Sequence, residues 1–124
     1  VCDTPAMIRR ACFILLLAGP LHAGQAVVED ARASQAADGS WRFDVTISHG
    51  DTGWNHYADG WFVETDTGEE LGFRELLHPH VNEQPFTRSL SGVDIPQGTT
   101  RVFIRARDSV HGLSDARFEV MLTE

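Results

Sequence analysis

The chain holds 124 residues, enough for one domain and not for two. Eighteen Asp and Glu face ten Arg and no Lys, a formal net charge of −8, so a basic face for nucleic acid or anionic lipid is excluded. At 42 % hydrophobic residues with three Trp and seven Phe, it is too apolar for a disordered acidic tail.

The N-terminal stretch reads as an address. Met7-Ile8-Arg9-Arg10 is a short positive segment, the run from Ala11 to Ala18 is apolar, and small residues close it at Leu21-His22-Ala23 and Gly24-Gln25-Ala26. That order is that of a secretory signal peptide, and the apolar run is shorter than the roughly 20 residues a membrane span needs. Residues 1–23 are therefore expected to be an over-extended start plus signal peptide, and 24–124 a β-sandwich domain that is periplasmic or secreted. Both cysteines, Cys2 and Cys12, fall in the leader, which leaves the domain without a disulfide or a thiolate ligand.

Beyond the leader a period of two dominates. Val27 to Ala33 is a weak strand. Trp41 to Ser48 is apolar at every odd position and polar at every even one. Tyr57 to Thr65 alternates more loosely, with Trp61 on the core side. Glu69 to Leu77 contains good helix formers, but Gly72 interrupts it, and Leu71, Phe73 and Leu77 share one side of a strand, which is the reading preferred for 70–77. Phe86 to Val93 is a further weak strand. Thr100 to Asp108 sets Val102, Ile104 and Ala106 against Arg101, Phe103, Arg105 and Arg107, and 116–122 turns Phe118, Val120 and Leu122 inward. Turn clusters at Ala37-Asp38-Gly39-Ser40, Asp66-Thr67-Gly68 and Pro96-Gln97-Gly98 separate them. The expected fold is all-β, a seven-stranded antiparallel sandwich.

The stretch from Ile95 to Asp108, with His111-Gly112 and a last strand, resembles the end of a fibronectin type III or related immunoglobulin-like module. It departs from many such domains at Thr100, where they carry a tyrosine. The resemblance implies the same sandwich, with Trp61 buried in it. The segments Gly53 to Trp61, Leu77-His78-Pro79-His80 and Glu83 to Arg88 are similar to small uncharacterised secreted bacterial proteins, which adds no activity.

Strand parity gathers the histidines. If direction reverses at every strand, the connections 33–41, 65–70 and 93–100 lie at one end, and 49–56, 78–85 and 109–115 at the other. His49, His56, His78, His80 and His111 all belong to the second set. Pro79 keeps His78 extended, so His78 and His80 can project together, and His49 and His56 can face each other across their loop. Asp51, Asp59, Glu83 and Asp108 bring carboxylates to the same end. Imidazoles with carboxylates suit a divalent transition ion, and without cysteine the expectation is Cu²⁺ or Zn²⁺. His78 and His80 are the expected primary ligands, completed by His56 with His49 or His111 and supported by Glu83 or Asp108. The alternative is a metal-free module that binds a periplasmic protein or a glycan with the same loops through Trp54 and Tyr57. A structural reading also stands, in which His78 or His80 meets a backbone carbonyl and Arg88 pairs with Glu83 or Glu75. No nucleophile elbow, HExxH, P-loop or dinucleotide fingerprint occurs, and nothing selects an enzyme.

Overall fold

Two rows of alternating apolar side chains build the molecule. In the computed structural model, which describes residues 24–123, Trp41, Phe43, Val45 and Ile47 of one strand are buried, as are Val102, Ile104 and Ala106 of another. The expected leader, residues 1–23, lies outside the described residues. The strands are β1 (Val27–Gln35), β2 (Trp41–Ser48), β3 (Ala58–Glu64), β4 (Glu70–Glu75), β5 (Phe86–Val93), β6 (Arg101–Asp108), β7 (Gly112–Leu113) and β8 (Phe118–Met121). No helix occurs among the described residues.

One antiparallel sheet has the order β1-β2-β5, and the other runs β4-β3-β6, with β7 and β8 both paired to β6. Their apolar faces share one core, to which β3 adds Ala58, Trp61 and Val63, and β5 adds Phe86 and Val93. Each large side chain withdrawn from water contributes about 1.5–3 kcal/mol. A chain without disulfides in this domain relies on that burial.

Eight strands replace the expected seven. The expected strand over 116–122 is β8, and the eighth strand is the short β7, paired with β6 inside the stretch expected as the 109–115 connection. Just after it, Ser114 turns inward and donates from Oγ to the Ala26 carbonyl at 2.6 Å. The ambiguous segment 69–77 is strand β4, and its Gly72 lies opposite Val63 of β3. Phe103, which falls on the polar side of β6, is accounted for by the guanidinium groups of Arg101 and Arg117 over its ring at 5.4 and 4.1 Å. The outer face of the second sheet is thus an Arg–Phe lattice, with Arg107 lying over both Phe62 and Phe73.

Chain direction reverses as the parity argument requires. At one end the β1–β2 and β3–β4 hairpins turn through Gly39 and Gly68, both with φ of 92°, a conformation that glycine enters without penalty. The opposite end carries the loops 49–57, 76–85 and 109–117, and all five histidines of the described residues sit there.

Candidate metal centre

The buried rows of β2 and β6 do not stop where their apolar residues stop. Trp41, Phe43, Val45 and Ile47 are followed in the same parity by His49, which is 1 % exposed; Val102, Ile104 and Ala106 are followed by Asp108, at 2 %. A strand directs alternate side chains to one face. One imidazole and one carboxylate are therefore carried beneath the end of the core. The loop after His49 then folds back on itself: Thr52 N–H donates to the His56 carbonyl and His56 N–H to that of Gly53. That tight turn lifts Trp54 to its tip and returns His56 to His49, with ring centroids 4.8 Å apart. His111, just past β6, brings a third ring 4.9 Å from that of His56.

His49, His56 and Asp108 each offer a ligand atom, and these atoms lie within 4.8 Å of one another. The three could hold a metal ion. Asp108 Oδ1 is crowded: it accepts from His56 Nε2 at 3.0 Å, His111 Nδ1 at 3.1 Å, and the backbone N–H groups of Val110 and His111 at 2.9 and 2.7 Å. Burial alone pushes this carboxyl's pKa upward, but those donors prevail and hold it below the ordinary carboxylate value. Asp108 Oδ2, by contrast, is buried with no hydrogen-bond partner among the described residues. A buried, ionised oxygen left unpaired is costly unless a cation or a donor meets it.

Asp51 organises what surrounds this group. Its Oδ1 meets His49 Nδ1 at 2.5 Å and accepts the Ala58 N–H at 3.0 Å, while its Oδ2 accepts the His80 N–H at 2.8 Å. The other ring nitrogen of His49 donates to the Gly24 carbonyl at 2.9 Å. A carboxylate holding one ring nitrogen is the usual outer support of a metal-bound imidazole; in His49 the other nitrogen is taken by the Gly24 carbonyl.

His78 and His80 are brought together, with ring centroids 4.6 Å apart, but outside that group. His80 stacks on Phe86 at 3.8 Å and its Nε2 accepts from Arg88 Nη2 at 2.9 Å. Removal from water, reinforced by the positive charge of Arg88, lowers its pKa. His78 Nδ1 donates to the Pro79 carbonyl at 3.1 Å. Gln84 ties the two loops: its Oε1 accepts the His49 N–H and its Nε2 donates to the His80 carbonyl. Glu83 is exposed and lies 3.8 Å from Arg88. Asp59 accepts from Arg107 on the outer face of the second sheet. Trp54 is 66 % exposed and meets Tyr57 edge to face at 5.5 Å.

His78 and His80 were the expected primary ligands, whereas the group whose ligand atoms lie together is His49, His56 and Asp108. The signal passed over was parity: His49 and Asp108 each extend an apolar row by one further step of two.

No family model matches the chain, and no solved structure matches it. A protein from Halomicrobium mukohataei named "Putative lipoprotein" is 46 % identical over 88 residues, which is 71 % of this chain and 43 % of that protein. The chain thus spans less than half the length of this curated relative. No helix of the described residues is long and apolar enough to cross a membrane.

Proposed function

We propose that this chain is a cell-envelope or secreted module of immunoglobulin or fibronectin type III kind that holds a divalent transition ion at the histidine end. The strand order β1-β2-β5 against β4-β3-β6-β7/β8 supports the fold reading, since immunoglobulin-type sandwiches divide their strands in this way. The lipoprotein name of the relative supports the location. The observation that carries the function is the unpaired, buried Oδ2 of Asp108 beside His49 and His56. His49, His56 and Asp108 are the ligands, with His111 as the fourth donor and Asp51 the support behind His49. Two or three imidazoles with a carboxylate suit Zn²⁺ or Cu²⁺. His80 acts as a buttress, its N–H holding the 76–85 loop against Asp51, while His78 and Glu83 lie outside the ligand group.

Calorimetric titration of Zn²⁺ and Cu²⁺ into the full chain tests this. The wild type is expected to bind one ion more tightly than about 10 μM, and His56→Ala and Asp108→Asn each to weaken it by about tenfold or more. His78→Ala should bind as the wild type does. Wild-type binding weaker than that limit would sink the reading, and a loss confined to a His78→Ala/His80→Ala pair would move the ion to those two residues.

A second reading has its own observation. Trp54, Leu77, Val81 and Val110 are exposed on the three loops of this end, a composition that suits contact with a protein or a glycan. In that case Trp54→Ala weakens partner capture and chelators do not.

A further inference from the structure

The segment leading into β1 is fastened across the candidate centre. The Gly24 carbonyl accepts from His49 Nε2 at 2.9 Å, the Ala26 carbonyl accepts from Ser114 Oγ at 2.6 Å, and Gln25 exchanges hydrogen bonds with Asp115 through its Oε1 and Nε2. Gly24 to Ala26 forms a strap held at three points, and one of those points is a ring nitrogen of His49, a ligand in the proposed site. His49 has no lone pair free for a cation while both its ring nitrogens bond to oxygens. One bond must yield before the ring can coordinate.

The two bonds are unequal. Asp51 is fixed by the Ala58 and His80 N–H groups as well as by His49, and all these groups are buried. The Gly24 carbonyl belongs to a residue outside any strand, and its neighbour Gln25 is exposed. Nε2 is therefore the nitrogen that yields, and its proton passes to solvent when the ion arrives.

We infer that the bound ion and the N-terminal strap compete for His49 Nε2, so that metal loading releases Gly24 and an anchored strap weakens metal binding. The inference rests on the metal reading above and concerns the regulation of that site. Because the coupling is a free energy shared by the two events, it runs in both directions.

Two measurements on the full chain, with Zn²⁺ as the probe, decide it. Zinc should accelerate backbone hydrogen exchange over residues 24–28 severalfold, and should leave it unchanged in His56→Ala, which lacks a ligand. Gln25→Ala, which removes the strap's exposed fastening without touching a ligand, should tighten zinc binding about threefold to tenfold, the weight of a net hydrogen bond or two. If zinc binds the wild type with neither effect, the competition is overturned and the metal site stands. If zinc does not bind the wild type, both fall together.

Discussion

His80 illustrates how a histidine can belong to a histidine cluster and yet serve it as scaffold. Its ring lies flat on Phe86 and its Nε2 accepts a hydrogen bond from Arg88, so the neutral form is the one this environment suits. Desolvation is the main reason its pKa is lowered from 6.5; Arg88 and His78 add to the effect, and Glu83 and Asp51 oppose it. The consequence for stability has a definite sign. The unfolded chain takes up this proton near the ordinary value while the folded chain still refuses it, so His80's contribution is complete above that value and is lost as the pH falls below it. The urea midpoint of the metal-free protein is expected to drop between about pH 7 and pH 5. His80→Gln, which keeps an acceptor for Arg88 and cannot titrate, should reduce that drop. A drop of equal size in the variant would show that other groups carry it.

The strands place these residues, and the tightest place in them is the approach of β4 to β3. A Cβ on Gly60 would lie 2.5 and 2.7 Å from Phe73 Cε1 and Cζ and 3.1 Å from the Arg74 carbonyl oxygen. The Phe73 ring has little freedom to retreat, since it packs on Phe62 at 4.6 Å and carries Arg107 over its face. Gly60→Ala is therefore expected to cost roughly 1–3 kcal/mol in urea unfolding, and Gly72→Ala less, its nearest contact being Leu90 Cδ2 at 3.1 Å. Period two made most of this architecture legible: β2 and β6 fall where their alternation puts them, because a half-buried strand must sort its side chains by face. The short strand β7 was hidden, since two residues carry no alternation and its place depends on pairing with Arg107 and Asp108 of β6. The site was half legible for the same reason. Reversal of direction gathers the five histidines, but which of them joins the group that could hold a metal depends on partners that no local pattern names: Phe86 and Arg88 claim His80, while Asp51 orients His49.

Taken together, the proposed ligands bridge the molecule. His49 follows β2 in one sheet, Asp108 ends β6 in the other, and His56 sits in the loop that crosses between them. An ion held by all three would tie the sheets together at one end of a core that has no disulfide to do so. The unfolded chain cannot present these groups at once, so ligation adds to folding stability by mass action. At a free zinc concentration 100 times the dissociation constant the gain is about 2.7 kcal/mol, which for a domain of about 100 residues raises the melting temperature by about 10–20 °C. Release of the Gly24 carbonyl reduces the observed affinity but not this relation, because the dissociation constant already contains it. Thermal melts of the full chain with zinc and with a chelator measure the shift, and Asp108→Asn should abolish most of it while retaining an acceptor for the Val110 and His111 N–H groups. An equal shift in wild type and variant would mean that zinc stabilises the fold from somewhere other than the junction of β2 and β6.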